Sequence, residues 1–146
     1  METSRSANAV WEGDLLSGSG SVSAGTGLFS NLPTSWSSRT EAPAGRTSPE
    51  EMLAAAHASC YSMAFSNGLA KAGFPAEHVD VRAEVTFTKE ESGWSVTRSA
   101  LTIRARVPGI DEAAFQEAAE GARTGCPISR ALNPSIEVTV DAKLER

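Results

Sequence analysis

Between Ser48 and Gly73 the sequence spells out a helix from cap to stop, and the rest of the chain has to be arranged around it. Ser48 is a good N-cap, Pro49 suits the first helical position, and Glu51 stands where a capping-box acid belongs. Gly73 supplies a left-handed stop and Pro75 forbids continuation. These signals predict one helix of roughly 24 residues, ending near Ala72 and about 36 Å long at 1.5 Å per residue. Its first half is dominated by Ala54, Ala55, Ala56, Ala58 and Ser59, side chains that let neighbouring backbones approach closely. A helix of that length in a chain of 146 residues is expected to be central and tightly packed.

The flanking patterns are those of strands. Residues 8 to 39 are rich in Gly and Ser, with strand-like pieces at Ala9 to Trp11 and Ser19 to Ala24, and they read as a short antiparallel meander. Loops are expected through Pro33 and through Pro43 to Gly45, with Trp36, Ser37 and Ser38 extended before Arg39. After the helix, Val81, Ala83, Val85 and Phe87 alternate with Asp80, Arg82, Glu84 and Thr86, which predicts a half-buried strand. Ser92-Gly93 makes the turn, and the return strand from Trp94 to Val107 changes phase, so a bulge is expected near Arg98 to Ala100. Asp111 caps a second helix that Gly125 ends. Pro127 opens a short third helix to about Leu132, and a last strand puts Ile136, Val138, Val140 and Ala142 on one face. The order predicts a single α+β domain over residues 1–146, built on antiparallel sheet.

Leu, Ile, Val and Phe together make only 27 of the 146 residues, while Ala contributes 23. Small side chains bury little area each, so the core is expected to be thin and completed by a partner subunit. The formal charge of -5 leaves no basic stripe to track phosphates, which weighs against nucleic acid as a partner. The weakly polar run from Met52 to Cys60 falls far short of the roughly 20 apolar residues that cross a bilayer. The first residues, METSRSANAVWEGD, do not resemble a signal peptide, and the expected location is the cytoplasm, where cysteines tend to be reduced, metal-bound or catalytic.

The two cysteines, Cys60 and Cys126, admit three readings. A structural disulfide suits an exported protein better. As metal ligands, Cys60 and His57 share one helical face, yet no CxxC, HExxH or acidic ligand stands at diagnostic spacing, and no metal or cofactor is called for. In the redox reading one thiolate attacks an oxidant to give a sulfenic acid, and the other condenses with it to a disulfide. Cys126 sits at a helix cap that favours a thiolate. A mid-helix Cys60 needs a cation instead, and arginine is the best supplier. Arg39, Arg46, Arg104, Arg123 and Arg130 are the candidates, and a carboxylate such as Glu50 could hold Arg39 in place.

Several segments, taken together, resemble the OsmC/Ohr family of osmotically induced and organic hydroperoxide resistance proteins, and its OsmC branch most. They are WEGD at Trp11 to Asp14, SSRTE at Ser37 to Glu41, SPEEMLAAAHASC at Ser48 to Cys60, Ala72-Gly73-Phe74, VPGID at Val107 to Asp111 and GCPIS at Gly125 to Ser129. The resemblance spans about residues 8 to 144 and implies an OsmC-like fold, with antiparallel sheets wrapped around a long central helix in an intertwined homodimer. It implies a thiol peroxidase that reduces organic hydroperoxides, and hydrogen peroxide in some members. Carried over by position, Cys60 matches the peroxidatic cysteine, Cys126 the resolving one, Glu50 the catalytic glutamate and Arg39 the arginine of the OsmC-branch loop.

Ten residues on one straight helix separate Glu50 from Cys60 by about 15 Å along the axis, so a shared site calls for Glu50 from a second subunit. The expected partners are a hydroperoxide, a second copy of the chain and an external dithiol of lipoyl or thioredoxin type that reopens the disulfide. Leu53, Met63, Phe65, Trp36 and Phe29 are expected to line the cleft, although Met63 and Phe65 read more readily as plain core. The rival classes are a non-enzymatic binder of apolar small molecules in the dimer cleft and a redox sensor that passes its oxidation to a partner.

Overall fold

A computed structural model describes residues 1–146, which divide into two compact units, Met1–Met52 and Leu53–Arg146. In the first, β1 (Ala7–Glu12), β2 (Ser19–Ala24) and β3 (Leu32–Thr34) form the expected antiparallel meander. The pairing runs from Ala7 opposite Ala24 to Glu12 opposite Ser19, and from Gly20 opposite Thr34 to Val22 opposite Leu32. A Cβ on Gly20 would lie 2.7 Å from both the Trp11 ring and Thr34 Oγ1, so the small residue is what lets Trp11 lie across the sheet. β1 is exposed along its whole length, and only Val22 in this sheet is buried.

Two local expectations are corrected here. Pro33 lies in β3 rather than in a loop, at an edge where a missing N–H is tolerated, and its carbonyl accepts from Thr47 N at 2.9 Å. Ser37 and Ser38 are not extended but begin a one-turn helix, α1 (Ser37–Thr40). Ser35 Oγ accepts from Ser38 N at 3.1 Å, and the Ser38 hydroxyl lies 2.8 Å from each of two acceptors, Ser35 O and Thr47 O. Such short serine-to-backbone bonds compete with extended structure and win in this segment.

Helix α2 runs uninterrupted from Pro49 to Lys71. Ser48 Oγ accepts from Glu51 N at 3.1 Å, while the Glu51 carboxylate takes the Thr47 hydroxyl at 2.7 Å, so the capping box is half formed. The helix stops at Gly73, φ +91°, with Phe74 N donating to Leu69 O at 2.9 Å.

In the second unit, β4 (His78–Glu90) and β5 (Gly93–Arg106) form a long antiparallel hairpin. The bulge lies at Thr97, beside the expected stretch, since Thr86 pairs with Arg98 and Phe87 with Val96. Next come α3 (Glu112–Gly125) and α4 (Pro127–Leu132), then β6 (Glu137–Glu145). Gly125 is the last residue of α3 and is not left-handed; the break comes one residue later, at Cys126. β6 pairs with β5 in parallel, against the antiparallel expectation. Two helices intervene between these strands, and a crossover of that length can return the chain in the same direction, which a tight turn cannot.

The α+β class holds, with two sheets and four helices. The core of the second unit gathers Tyr61, Phe65 and Leu69 of α2, Leu101, Ile103 and Ala105 of β5, and Phe115 and Ala119 of α3. Phe65 is fully buried, its ring 5.9 Å from Tyr61 and 5.5 Å edge-on from Phe115. Phe65→Ala is expected to cost about 3–5 kcal/mol, read as a lowered midpoint in chemical denaturation. A loss under about 1 kcal/mol would show that this site is not tightly packed. No helix is long and apolar enough to cross a membrane.

Candidate active site

The two cysteines meet in the second unit. Cys60 is half-buried on α2, and Cys126 is fully buried at the junction of α3 and α4. That junction follows from the Gly-Cys-Pro sequence. A residue before proline is pushed out of the helical region, and Cys126 takes φ -62°, ψ 121°, closing α3 through Cys126 N to Ala122 O at 2.9 Å. Pro127 then occupies the first turn of α4, where its missing N–H costs nothing. The same residue therefore ends one helix and caps the next, with its sulfur accepting from Ser129 N at 3.5 Å.

The two sulfurs lie 3.1 Å apart as free thiols. A disulfide needs about 2.05 Å, so a further approach of about 1 Å closes one. They share a hydrogen bond, so each thiol's ionisation depends on the other's. Burial pushes the Cys60 thiol above its ordinary value, the Ile128 amide opposes this, and the neighbouring Cys126 adds to the rise. Burial also raises Cys126, but the Ser129 amide, the Cys60 thiol, the Ser129 hydroxyl and the Ile128 amide together hold it below its ordinary value. Within this unit the buried thiol is thus the easier one to ionise, and the half-exposed thiol is the one open to solvent.

His57, one turn before Cys60, is fully buried. Its Nδ1 lies 2.6 Å from Ser99 Oγ on β5 and its Nε2 2.7 Å from Ser129 Oγ on α4. Both ring nitrogens are engaged by hydroxyls, which removes the imidazole as a partner for Cys60 in holding a metal.

The first unit holds an ion pair of its own. Arg39, in α1, and Glu50, in the first turn of α2, form a fork: Nη2 donates to Oε1 at 2.7 Å, and Nε lies 3.2 Å from each carboxylate oxygen. The side chains are 28% and 10% exposed, so the charges are partly desolvated and geometrically fixed. The guanidinium carbon sits 5.5 Å from the Trp36 ring centre. Beside it opens a cleft of about 230 Å³ walled by Trp11, Leu15, Val22, Trp36, Met52 and Arg39 itself. It is a largely apolar space with one paired cation in its wall.

Of the residues expected to line a cleft, Trp36 does so. Leu53 is half-buried on α2, Phe29 is 37% exposed in the β2–β3 connection and Met63 is 65% exposed on α2. Phe65 belongs to the core. Met52 and Trp11 were missed, although Met52 adjoins Leu53 and Trp11 opens the WEGD run. Ser99 and Ser129 carry no local signal, lying 42 and 72 positions from His57 in the chain.

Residues 42–141 match the family model described as OsmC-like protein. The chain is 39% identical over 145 residues to the protein named peroxiredoxin OsmC of Escherichia coli (strain K12), covering 99% of both chains. It is 31% identical over 96 residues to the organic hydroperoxide resistance protein of Xanthomonas axonopodis pv. citri (strain 306), 64% of this chain and 65% of that one. Its fold matches the solved structure of an OsmC-like protein of unknown function from Vibrio cholerae O1 biovar eltor with a TM-score of 0.75 at 21% identity, over 97% of this chain and 100% of that one. With full-length identity of this order and the cysteine pair brought together at the Gly-Cys-Pro helix junction, the chain belongs to the family of OsmC-like proteins.

Proposed function

We propose that the protein is a cysteine-based peroxidase that reduces organic hydroperoxides, with hydrogen peroxide as a smaller substrate. The observation that carries this reading is the 3.1 Å separation of two free thiols that stand 66 positions apart in the chain. The names of the relatives, peroxiredoxin and organic hydroperoxide resistance protein, support the same class of chemistry.

In the proposed cycle the Cys60 thiolate attacks one peroxide oxygen. The S–O bond forms, the O–O bond breaks, and the electron pair leaves with the alkoxide, which takes a proton to become the alcohol. Cys126 then attacks the sulfenic sulfur, forming the disulfide and displacing hydroxide, which leaves as water. An external dithiol of lipoyl or thioredoxin type returns two electrons by thiol–disulfide exchange.

Cys60 needs a cation to ionise, because burial opposes its thiolate. Arg39 is assigned that role, with Glu50 fixing its fork. Glu50 and Cys60 stand about 15 Å apart along the uninterrupted helix, so the reading takes Arg39 and Glu50 from the partner subunit. Each chain is then one OsmC-like domain of an intertwined cytoplasmic homodimer, and the exposed β1 strand and thin core fit such an arrangement. The apolar cleft beside Arg39, with Trp36 and Met52, suits the organic tail of a hydroperoxide; Leu53, Met63 and Phe29 are assigned to the same cleft across the subunit boundary.

The test is intact mass and free-thiol count after one equivalent of cumene hydroperoxide. The reduced protein is expected to lose both thiols and about 2 Da, as a dithiol closing to a disulfide requires. Two intact thiols after exposure would instead favour a binding protein in which the thiols are incidental.

A further inference from the structure

Behind the cysteine pair lies a buried hydrogen-bonded chain that the cycle above does not employ. Ser99 on β5, His57 on α2 and Ser129 on α4 are all essentially inaccessible to solvent. The imidazole joins the two hydroxyls at 2.6 and 2.7 Å, and Ser129 is the residue whose amide and hydroxyl both favour charge on Cys126. Burial holds His57 below its ordinary pKa, so the ring is neutral and carries a single N–H.

That single proton gives the chain a direction. Ser129 has one hydroxyl proton. If it points at Cys126 Sγ, Ser129 Oγ must accept from His57 Nε2–H, and Nδ1 must in turn accept from the Ser99 hydroxyl. In the opposite tautomer Ser129 spends its proton on Nε2, and the sulfur loses a donor. The tautomer of a histidine one turn from the peroxidatic cysteine thus determines how many donors face the resolving one.

We propose that His57, in its Nε2–H tautomer and acting through Ser129, is a positioning residue for the resolving step, presenting Cys126 as a nucleophile 3.1 Å from Cys60 Sγ. The proposal rests on the peroxidase reading. When Cys126 attacks the Cys60 sulfenic acid, the S–S bond forms, the S–O bond breaks and the released hydroxide takes up the proton Cys126 gives up. The oxidant is the sulfenic acid itself. The other titratable groups facing Cys126 are Cys60 and Tyr61, both on α2; burial keeps the Tyr61 phenol neutral, and its hydroxyl donates to Ala119 O at 2.7 Å. Neither supplies a positive charge, so the thiolate is supported by hydrogen bonds alone, from the Ser129 and Ile128 amides, the Cys60 thiol and the Ser129 hydroxyl, and of these only the hydroxyl is set by the hydrogen-bonded chain.

The test compares wild type with Ser129→Ala and His57→Gln after one equivalent of cumene hydroperoxide. In Ser129→Ala the first oxidation of Cys60 is expected to be no slower than in wild type, while disulfide closure slows by about tenfold, the scale set by one lost hydrogen bond to a charged acceptor. The sulfenic acid then persists long enough for dimedone to trap it, and Ser129→Thr, which keeps the hydroxyl, closes faster than Ser129→Ala. With Cys60→Ser as background, Ser129→Ala is expected to move the ultraviolet titration of Cys126 upward. A merely structural serine would leave that titration in place, and closure at the wild-type rate with an unmoved titration would overturn the proposal. Should His57→Gln fail to fold, nitrogen NMR of the unmodified protein decides: the Nε2–H tautomer is expected, and Nδ1–H overturns the scheme. If wild type forms no Cys60–Cys126 disulfide at all, the peroxidase reading fails, and the tautomer together with the Cys126 titration still judges the hydrogen-bonded chain on its own.

Discussion

Cys60→Ser is expected to abolish hydroperoxide turnover, by on the order of a thousandfold or more, because a serine hydroxyl in the same place is neither ionised nor nucleophilic near neutral pH. Cys126→Ser is expected to fail differently. Its Cys60 remains half-buried and reachable, so one equivalent of peroxide is consumed as fast as in wild type, and the protein then stalls as the sulfenic acid, about 16 Da heavier. With excess peroxide it should move on to the sulfinic acid, which dithiols do not reverse. The pair of outcomes assigns the two roles, since a single loss of activity would not separate nucleophile from resolver. Multiple turnover by Cys60→Ser, measured with a dithiol in excess, would remove Cys60 from the first step. The inverse pattern, with Cys126 oxidised first, would fit the easier ionisation of the buried thiol within its own unit and exchange the roles.

Arg39→Ala carries the second large effect. With Arg39 placed beside the partner's Cys60 as proposed, losing its charge is worth about 10- to 100-fold in the rate of Cys60 oxidation, and the direction with pH follows from the same cause. A guanidinium near a thiol favours the charged thiolate and lowers the thiol's pKa, so its removal leaves burial to push the Cys60 titration upward. The rate at neutral pH should drop, and its rise should move to more alkaline pH. The subunit assignment is tested by mixing two impaired chains, one carrying Cys60→Ser and the other Arg39→Ala. If Arg39 serves the partner's Cys60, a mixed dimer has one site with both defects and one with neither, and activity returns to about half of wild type per mixed dimer. If both residues of a site come from one chain, every site in the mixture is damaged and activity stays at the residual level of the separate variants. Titrating one variant into the other and following peroxide loss separates these cases.

Much of the local architecture was legible because it is written in short-range rules. The cap at Ser48, the stop at Gly73 and the Asp111 cap, whose carboxylate accepts from Ala114 N at 2.8 Å, each depend on residues within a turn of one another. The alternation of β4 and the Gly-Cys-Pro break are of the same kind. Where short-range signals compete, the sequence pattern misleads: serine side chains turn Ser37–Thr40 into a helix, and an edge position makes room for Pro33 in a strand. The parallel direction of β6 has no signature within the strand, since alternation looks the same whichever way the neighbour runs.

The sequence by itself determined the capped central helix, the α+β order of elements, the family, and the kinds of group that could do the chemistry: two thiols, an arginine and a glutamate. Only the tertiary structure decided that Cys60 and Cys126 stand 3.1 Å apart, that Glu50 grips Arg39 with both oxygens, that Phe65 is core, and that His57 ties Ser99 to Ser129. The physical reason is range. Backbone conformation responds to neighbours a few residues away, whereas a buried polar group is satisfied by whichever partner the packing of distant segments brings to it, and no local pattern records a bond between residues 72 positions apart.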